Sequence, residues 1–260
     1  MIETTFTDAI AHVILTRPDR KNALTFEMFD ALTQAGRDLA DHPGLRAVIL
    51  SGAGGAFCAG LDLGTMQSMA TKMDEVKTSL TQVDHTGANR FQTPVTVWSE
   101  LRVPVIAAID GVCLGAGMQL ALGCDFRIVH PDTRMSLMEA KWGLIPDMGV
   151  TQFLPKLMRA DQAKLLMMSA RMFSGAEAHD MGFATKLSQT PLDTGFALAQ
   201  ELSARSPEAV AGAKALVDQG WDGGADALAL EATLQRDLIG SPNQIESVMA
   251  NMQKRVPRFA

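Results

Sequence analysis

The chain has 260 residues, 47% of them hydrophobic, and a formal net charge of −6 at pH 7. That length holds one large domain, or a domain with an appendage, around a sizeable core. The acidic balance argues against a nucleic-acid partner, and no run of about 20 apolar residues is present to span a bilayer, so no membrane partner is expected.

The first eight residues carry neither a basic segment nor a long apolar run, so no signal peptide is expected. Residues 10–15 read as a strand, ended by the charged turn Thr16 to Lys21. Thr25 is placed to cap a helix over residues 26–40, where Met28, Phe29, Leu32 and Leu39 follow a helical period. Residues 47–50 form a second strand. Residues 65–91 are polar and Met-bearing with weak periodicity, and read as a mobile helical excursion. A buried strand over 103–109 leads to a helix starting at 118, and short strands follow at 126–129 and 134–138. Alternating strands and helices predict an α/β fold. Beyond residue 192 the pattern is almost all helix, at 197–203, 207–219, 226–239 and 243–254, with Pro207 and Pro242 at first-turn positions after Ser206 and Ser241. A boundary near residue 195 is therefore expected, dividing a core (1–195) from a helical region (196–260).

Two glycine-bearing turns stand out, Ala59-Gly60-Leu61-Asp62 and Gly115-Ala116-Gly117. Each follows an apolar strand and opens a helix, where backbone N–H groups are left without partners and the helix dipole adds positive potential. Two such groups converging on one point would hold a negatively charged oxygen.

The side chains offering chemistry are Asp62, directly after the first turn, Gln119, two residues after the second, and the carboxylates Glu139 and Asp147. Glu139 lies among Leu137, Met138, Ala140 and Trp142, and an apolar setting raises a carboxyl pKa toward general acid–base work. Asp62 reads first as a helix cap. Asp125 beside Arg127 reads as a structural ion pair, and Asp147 after Pro146 also suits a turn. The three cysteines, Cys58, Cys113 and Cys124, sit in apolar stretches with no CxxC or Cys/His ligand spacing, so no metal site is expected. Buried thiols point to a reducing, cytoplasmic setting. No GxGxxG, P-loop or Gly-x-Ser-x-Gly pattern is present. The sequence contains no tyrosine, so no tyrosine serves as acid or oxyanion donor.

Taken in order, Arg17 to Leu24, Phe57 to Leu63, Ile109 to Gly117 and Glu139 to Pro146 resemble the enoyl-CoA hydratase/isomerase (crotonase) family across nearly the whole chain. The resemblance implies a spiral of ββα units, a C-terminal helical trimerisation region and a homotrimer or dimer of trimers. It implies an acyl-CoA thioester substrate, an enolate intermediate, and no cofactor beyond the coenzyme A of the substrate. By the same resemblance the oxyanion hole falls on the N–H groups of Leu61 and Ala116, with Glu139 and Asp147 catalytic. Substrate contacts are implied at Arg20, Lys21, Ala23, Ala59, Gly60, Asp62, Leu63, Gly115, Gln119 and Trp142. The segment 65–92 is expected to shape the acyl pocket with Met66, Met69 and Met73.

The chain departs from the hydratase pattern in two places. Gln119 stands where hydratases carry a first glutamate, and Asp147 where they usually carry glycine. Glu139 with Asp147, and Pro155-Lys156 beyond them, resembles the dienoyl-CoA isomerase branch, which has an acidic residue in place of Gln119. The expected reaction is a double-bond shift or hydration, isomerisation slightly favoured. Other CoA-thioester chemistry (hydrolysis, decarboxylation, dehalogenation) and non-catalytic acyl-CoA binding stay open as alternatives.

Overall fold

Residues 1–69 and 71–260 are described by a computed structural model. Strands β1 (Ile2–Thr7) and β2 (Ile10–Leu15) form an antiparallel hairpin turned at Asp8, whose φ is +52°. Helix α1 (Phe26–Ala40) follows, with Thr25 Oγ1 accepting from the Met28 amide as its cap. It buries Met28, Phe29, Leu32 and Leu39, as its periodicity predicts. Strand β3 (Ala47–Gly52) is buried on both faces over most of its length, as a parallel strand inside a sheet requires.

The 65–91 excursion resolves into α2 (Leu63–Met69) and α3 (Met73–Thr81), followed by α4 (Thr93–Ser99). Next come β4 (Val105–Ile109), β5 (Val112–Leu114) and α5 (Ala116–Leu122). Strands β6 (Phe126–Val129) and β7 (Arg134–Ser136) lead to a short 3₁₀ turn, Glu139–Trp142. Helices α6 (Val150–Phe153) and α7 (Ala160–Ser169), strand β8 (Phe173–Ser174), helix α8 (Gly175–Asp180) and strand β9 (Lys186–Leu187) complete the core. The chain then runs through α9 (Pro191–Ser203), α10 (Pro207–Gly220), α11 (Ala225–Leu238) and α12 (Pro242–Gln253).

Six strands make one sheet in the order β1-β2-β3-β4-β6-β9, all parallel beyond the first hairpin. A second layer holds β5-β7-β8, and isolated bridges Cys58↔Cys113 and Leu24↔Leu61 prolong it. The repeat is a strand in the large sheet, a short strand or bridge in the second layer, then a helix. This is the spiral of ββα units that the resemblance implies.

The main core lies between the layers, around Phe57, Val95, Trp98, Met118, Leu120 and Met135. The other face of the large sheet exposes Ile10, Ile49, Ile106 and Ile128, which α9 covers with Phe196, Leu198 and Ala199. Helix α9 crosses residue 195 while packed on this sheet. Among the described residues no helix is long and apolar enough to cross a membrane.

Several sequence expectations need correction: the helix expected to start at 118 opens at Ala116, and the one expected over 197–203 opens at Pro191. The strand expected over 134–138 stops at Ser136, so Glu139 opens a 3₁₀ turn instead of ending a strand. Asp125 does not pair with Arg127. Its Oδ2 accepts from Lys214 Nζ at 2.8 Å and from the Val105 amide at 2.7 Å. Arg127 is buried and donates to the carbonyls of Phe183 and Cys124. Lys214 lies 89 residues away from Asp125, beyond the reach of local pattern.

Candidate active site

The two glycine turns are stitched side by side by second-layer hydrogen bonds. The Cys58 amide donates to Val112 O at 3.0 Å, and the Leu114 amide donates to Cys58 O at 2.9 Å. Gly60 has φ +95°, and a Cβ there would stand 2.9 Å from Leu114 O and 3.7 Å from Ala116 N. The first turn thus touches the second through backbone alone. A third strand of chain, residues 21–24, runs beside the first turn. The Ala59 amide donates to Lys21 O, the Leu24 amide to Gly60 O, and the Asp62 amide to Leu24 O. Among the described residues, the amides of Leu61 and Ala116 have no hydrogen-bond acceptor. Two backbone donors are left free at adjoining turns, as a site for a developing oxyanion requires.

Asp62 Oδ1 accepts from the amides of Gly64 and Thr65 at 2.9 and 3.2 Å, so it caps α2. Its Oδ2 accepts from Arg17 Nη2 at 3.2 Å. Burial pushes the Cys58 thiol up to about 12, which makes Cys58 a packing residue and not a nucleophile.

The acid–base groups face the same space. Gln119 is 1% exposed, on α5. Its Nε2 donates to Glu139 Oε1 at 2.8 Å, and its Oε1 accepts from the Met148 amide at 2.8 Å. Glu139 Oε2 is buried with no partner. Desolvation raises the Glu139 pKa, and the nearby Asp147 charge adds to that rise, while the bond from Gln119 opposes it. The Asp147 pKa is also raised by desolvation. Its side chain opens to the solvent of the cavity, yet protein crowds its carboxyl. Both carboxyls are therefore shifted upward, the direction that suits general acid–base work.

These groups line one cavity of about 1010 Å³. Its wall includes Glu139, Asp147, Leu61, Ala116, Arg20, Ala23, Ala59, Gly60, Asp62, Leu63, Gly115, Gln119 and Trp142. Lys21 is outside that wall. It is exposed, in the left-handed region at φ +47°, ending a 3₁₀ turn. Met66, Met69 and Met73 do line the space, with Val76, Leu80, Phe26, Phe29 and Phe91. Among the described residues no group of three or more His, Cys, Asp or Glu stands as a metal would need.

Sequence reasoning passed over two contributors. Arg17, read as part of a charged turn, lines the cavity, binds Ala23 O and pairs with Asp62. Asn22 is fully buried, donates to Ala53 O and Ala56 O, and accepts from the Arg17 amide. The available signal was an asparagine between Arg20-Lys21 and Ala23 in a charged turn, a residue type whose side chain often ties a turn. The aromatic cluster of Phe26, Phe29 and Phe91 spans two distant segments and leaves no local trace.

Comparison with known proteins places this geometry. The enoyl-CoA hydratase/isomerase family profile matches residues 5–260. The chain is 34% identical to the peroxisomal Delta(3,5)-Delta(2,4)-dienoyl-CoA isomerase of Arabidopsis thaliana, over 97% of this chain and 93% of that protein. It is 32% identical to the mitochondrial methylglutaconyl-CoA hydratase of Mus musculus, over 94% of this chain and 77% of that one. The crystal structure of an enoyl-CoA hydratase from Polaromonas sp. JS666 superposes with a TM-score of 0.89 at 27% identity, covering 100% of this chain and 99% of the other. The paired turns, the ββα spiral and these matches together establish that the chain belongs to the enoyl-CoA hydratase/isomerase family.

Proposed function

We propose that this protein is an acyl-CoA enzyme that shifts a carbon–carbon double bond through an enolate, with isomerisation slightly favoured over hydration. The observation that carries the reading is one cavity bordered by the two turns with unpaired amides and by the carboxyl residues Glu139 and Asp147. Removing a proton near a thioester places charge on the carbonyl oxygen. The Leu61 and Ala116 N–H groups hold that oxygen, and losing one such donor costs on the order of 3 kcal/mol.

In this reading Glu139 takes a proton from one carbon, leaving a dienolate. Protonated Asp147 gives a proton to a carbon farther along the acyl chain, so the substrate gains and loses no atoms, and the two carboxyls exchange protons with solvent before the next turnover. Added water is not needed, which suits an amide at Gln119, since an amide does not shuttle protons. The raised pKa values of both acids support the exchange. Similarity to a dienoyl-CoA isomerase over almost the whole chain supports it as well.

Arg20 and Lys21 serve the phosphates and adenosine of coenzyme A, and Ala23, Ala59, Gly60, Asp62, Leu63, Gly115 and Trp142 bound the thioester path. Gln119 is part of the same wall. The reaction needs no cofactor beyond that coenzyme A. The helical C-terminal region joins copies into a homotrimer or dimer of trimers. Exposed Trp221, Leu228, Ile239, Val248 and Met252 on or beside its helices support that assembly. Three unpaired buried cysteines fit the cytoplasmic setting we assign.

The test is turnover of 2-enoyl-, 3-enoyl- and 3,5-dienoyl-CoA by purified protein, with products identified by mass spectrometry and NMR. The reading expects isomerised product and its loss in Glu139→Gln. Activity untouched in that variant overturns the assignment of the base.

A further inference from the structure

We propose that Gln119 is a positioning residue that orients the Glu139 carboxyl and keeps it a single base. The inference rests on the assignment of Glu139 as the base.

The direction of the Gln119 amide follows from its neighbours. The Met148 N–H can only donate, so the group facing it at 2.8 Å is Gln119 Oε1. The Gln119 NH₂ then necessarily faces Glu139 Oε1, also at 2.8 Å. Both ends of this amide are engaged with protein, and the side chain is buried in the wall. One N–H and one lone pair remain on it, but its orientation is fixed by protein. A donor fixed on Glu139 Oε1 keeps that oxygen an acceptor. The other oxygen is buried without a partner, so the bond to Oε1 is what orients this carboxyl.

Neither obvious replacement does the same. A glutamate at 119 can still accept from Met148 N. Its second oxygen, however, meets Glu139 Oε1 at hydrogen-bond distance, and two carboxyls so close cannot both ionise. A proton then sits between them, and the pair titrates as one coupled unit. A methionine fills the space and gives neither bond. Gln119 thus separates a single-base site from a two-carboxylate site with a shared proton. It also ties the segment bearing Asp147 to the segment bearing Glu139, because Met148 follows Asp147 directly.

The experiment is a carboxyl titration by NMR on the intact protein labelled with ¹³C-glutamate, with the Glu139 signal identified by its loss in Glu139→Gln. In Gln119→Met the Glu139 midpoint rises by about one pH unit, the worth of one hydrogen bond to a carboxylate. In Gln119→Glu two coupled midpoints appear, the upper one above the wild-type value. Hydrogen exchange of the Met148 amide speeds up in Gln119→Met and returns toward the wild-type rate in Gln119→Glu, which a purely packing role does not produce. On the active substrate, the acid limb of kcat moves with the titration while KM holds.

A Glu139 midpoint in folded Gln119→Met within about 0.3 pH unit of wild type overturns the proposal. If Gln119→Met does not fold, the coupled titration of Gln119→Glu decides in its place. The titration needs no substrate. A moved midpoint in a protein that turns over no acyl-CoA therefore upholds the hydrogen-bonding role and sinks the enzymatic reading, while turnover with an unmoved midpoint does the reverse.

Discussion

Gly117 lies so close to Cys58 that a Cβ on the glycine would stand 2.6 Å from the Cys58 Cβ and 2.6 Å from its carbonyl oxygen. This approach lets the start of α5 reach the second-layer bridge Cys58↔Cys113, and it sets the two turns that carry the unpaired amides against each other. Gly117→Ala forces these apart. Overpacking of this kind costs about 1–3 kcal/mol, and a displacement near 1 Å at a reacting centre costs about 10²-fold in rate. Thermal melting and kcat/KM check both expectations. A variant with wild-type values would mean that the turns need no such contact.

Glu139 makes a prediction about stability and pH. Burial raises its pKa above the ordinary 4.5. A carboxyl raised on folding favours the folded state while protonated. That contribution is full below the unfolded value and is lost as pH climbs through the folded one. Glu139→Gln removes the loss. The variant therefore melts above wild type near pH 7.5 and shows no such gain near pH 3.5. Its kcat falls by about 10²–10⁴-fold, the range for a missing general base. Wild-type activity accordingly falls off on the acid side at a midpoint above 4.5.

The Lys214–Asp125 pair ties α10 to the sheet and lies far from local sequence logic. Lys214 Nζ also donates to the carbonyls of Trp98 and Val103, so it satisfies three groups from the core. Lys214→Met strands the part-buried Asp125 carboxylate and lowers stability by about 2–4 kcal/mol in denaturant unfolding. A loss under about 1 kcal/mol would show that solvent, and not Lys214, compensates Asp125.

On the proposed function, the apolar end of the cavity receives the acyl chain and limits its length. Val76, 8% exposed on α3, faces it together with Met69, Leu80 and Phe91. Val76→Trp fills that end. If it displaces about four methylenes, the lost burial at about 0.8 kcal/mol each lowers kcat/KM for long acyl chains by about 10²-fold. Short chains are unaffected. Equal losses for short and long acyl-CoA would place the chain elsewhere.

How much of this was legible in the sequence varies with the range of the forces involved. Residues 26–40 carry cap and period together, and the helix has the expected bounds. Strand β2 also falls where its apolar run places it. Strand β1 went unread because it is a sheet edge exposed along nearly its whole length, so Ile2 to Thr7 carry no alternation. The two turns were visible as Gly60 and Gly117, since close backbone approach demands glycine. Their contact, made through Leu114 O and Cys58, was not visible. The bond from Gln119 to Glu139 spans 20 residues, and that from the Met148 amide to Gln119 spans 29, so neither leaves a local pattern.

In the proposed reaction two backbone amides and Glu139 together generate and hold a thioester enolate. The most direct measurement is NMR of acyl-CoA in D₂O, following deuterium entry at the carbon that Glu139 deprotonates. Wild-type protein is predicted to exchange that proton, with Glu139→Gln slower by at least about 10²-fold. Equal exchange by both proteins, or none by wild type on 2-enoyl-, 3-enoyl- and 3,5-dienoyl-CoA, would contradict the account.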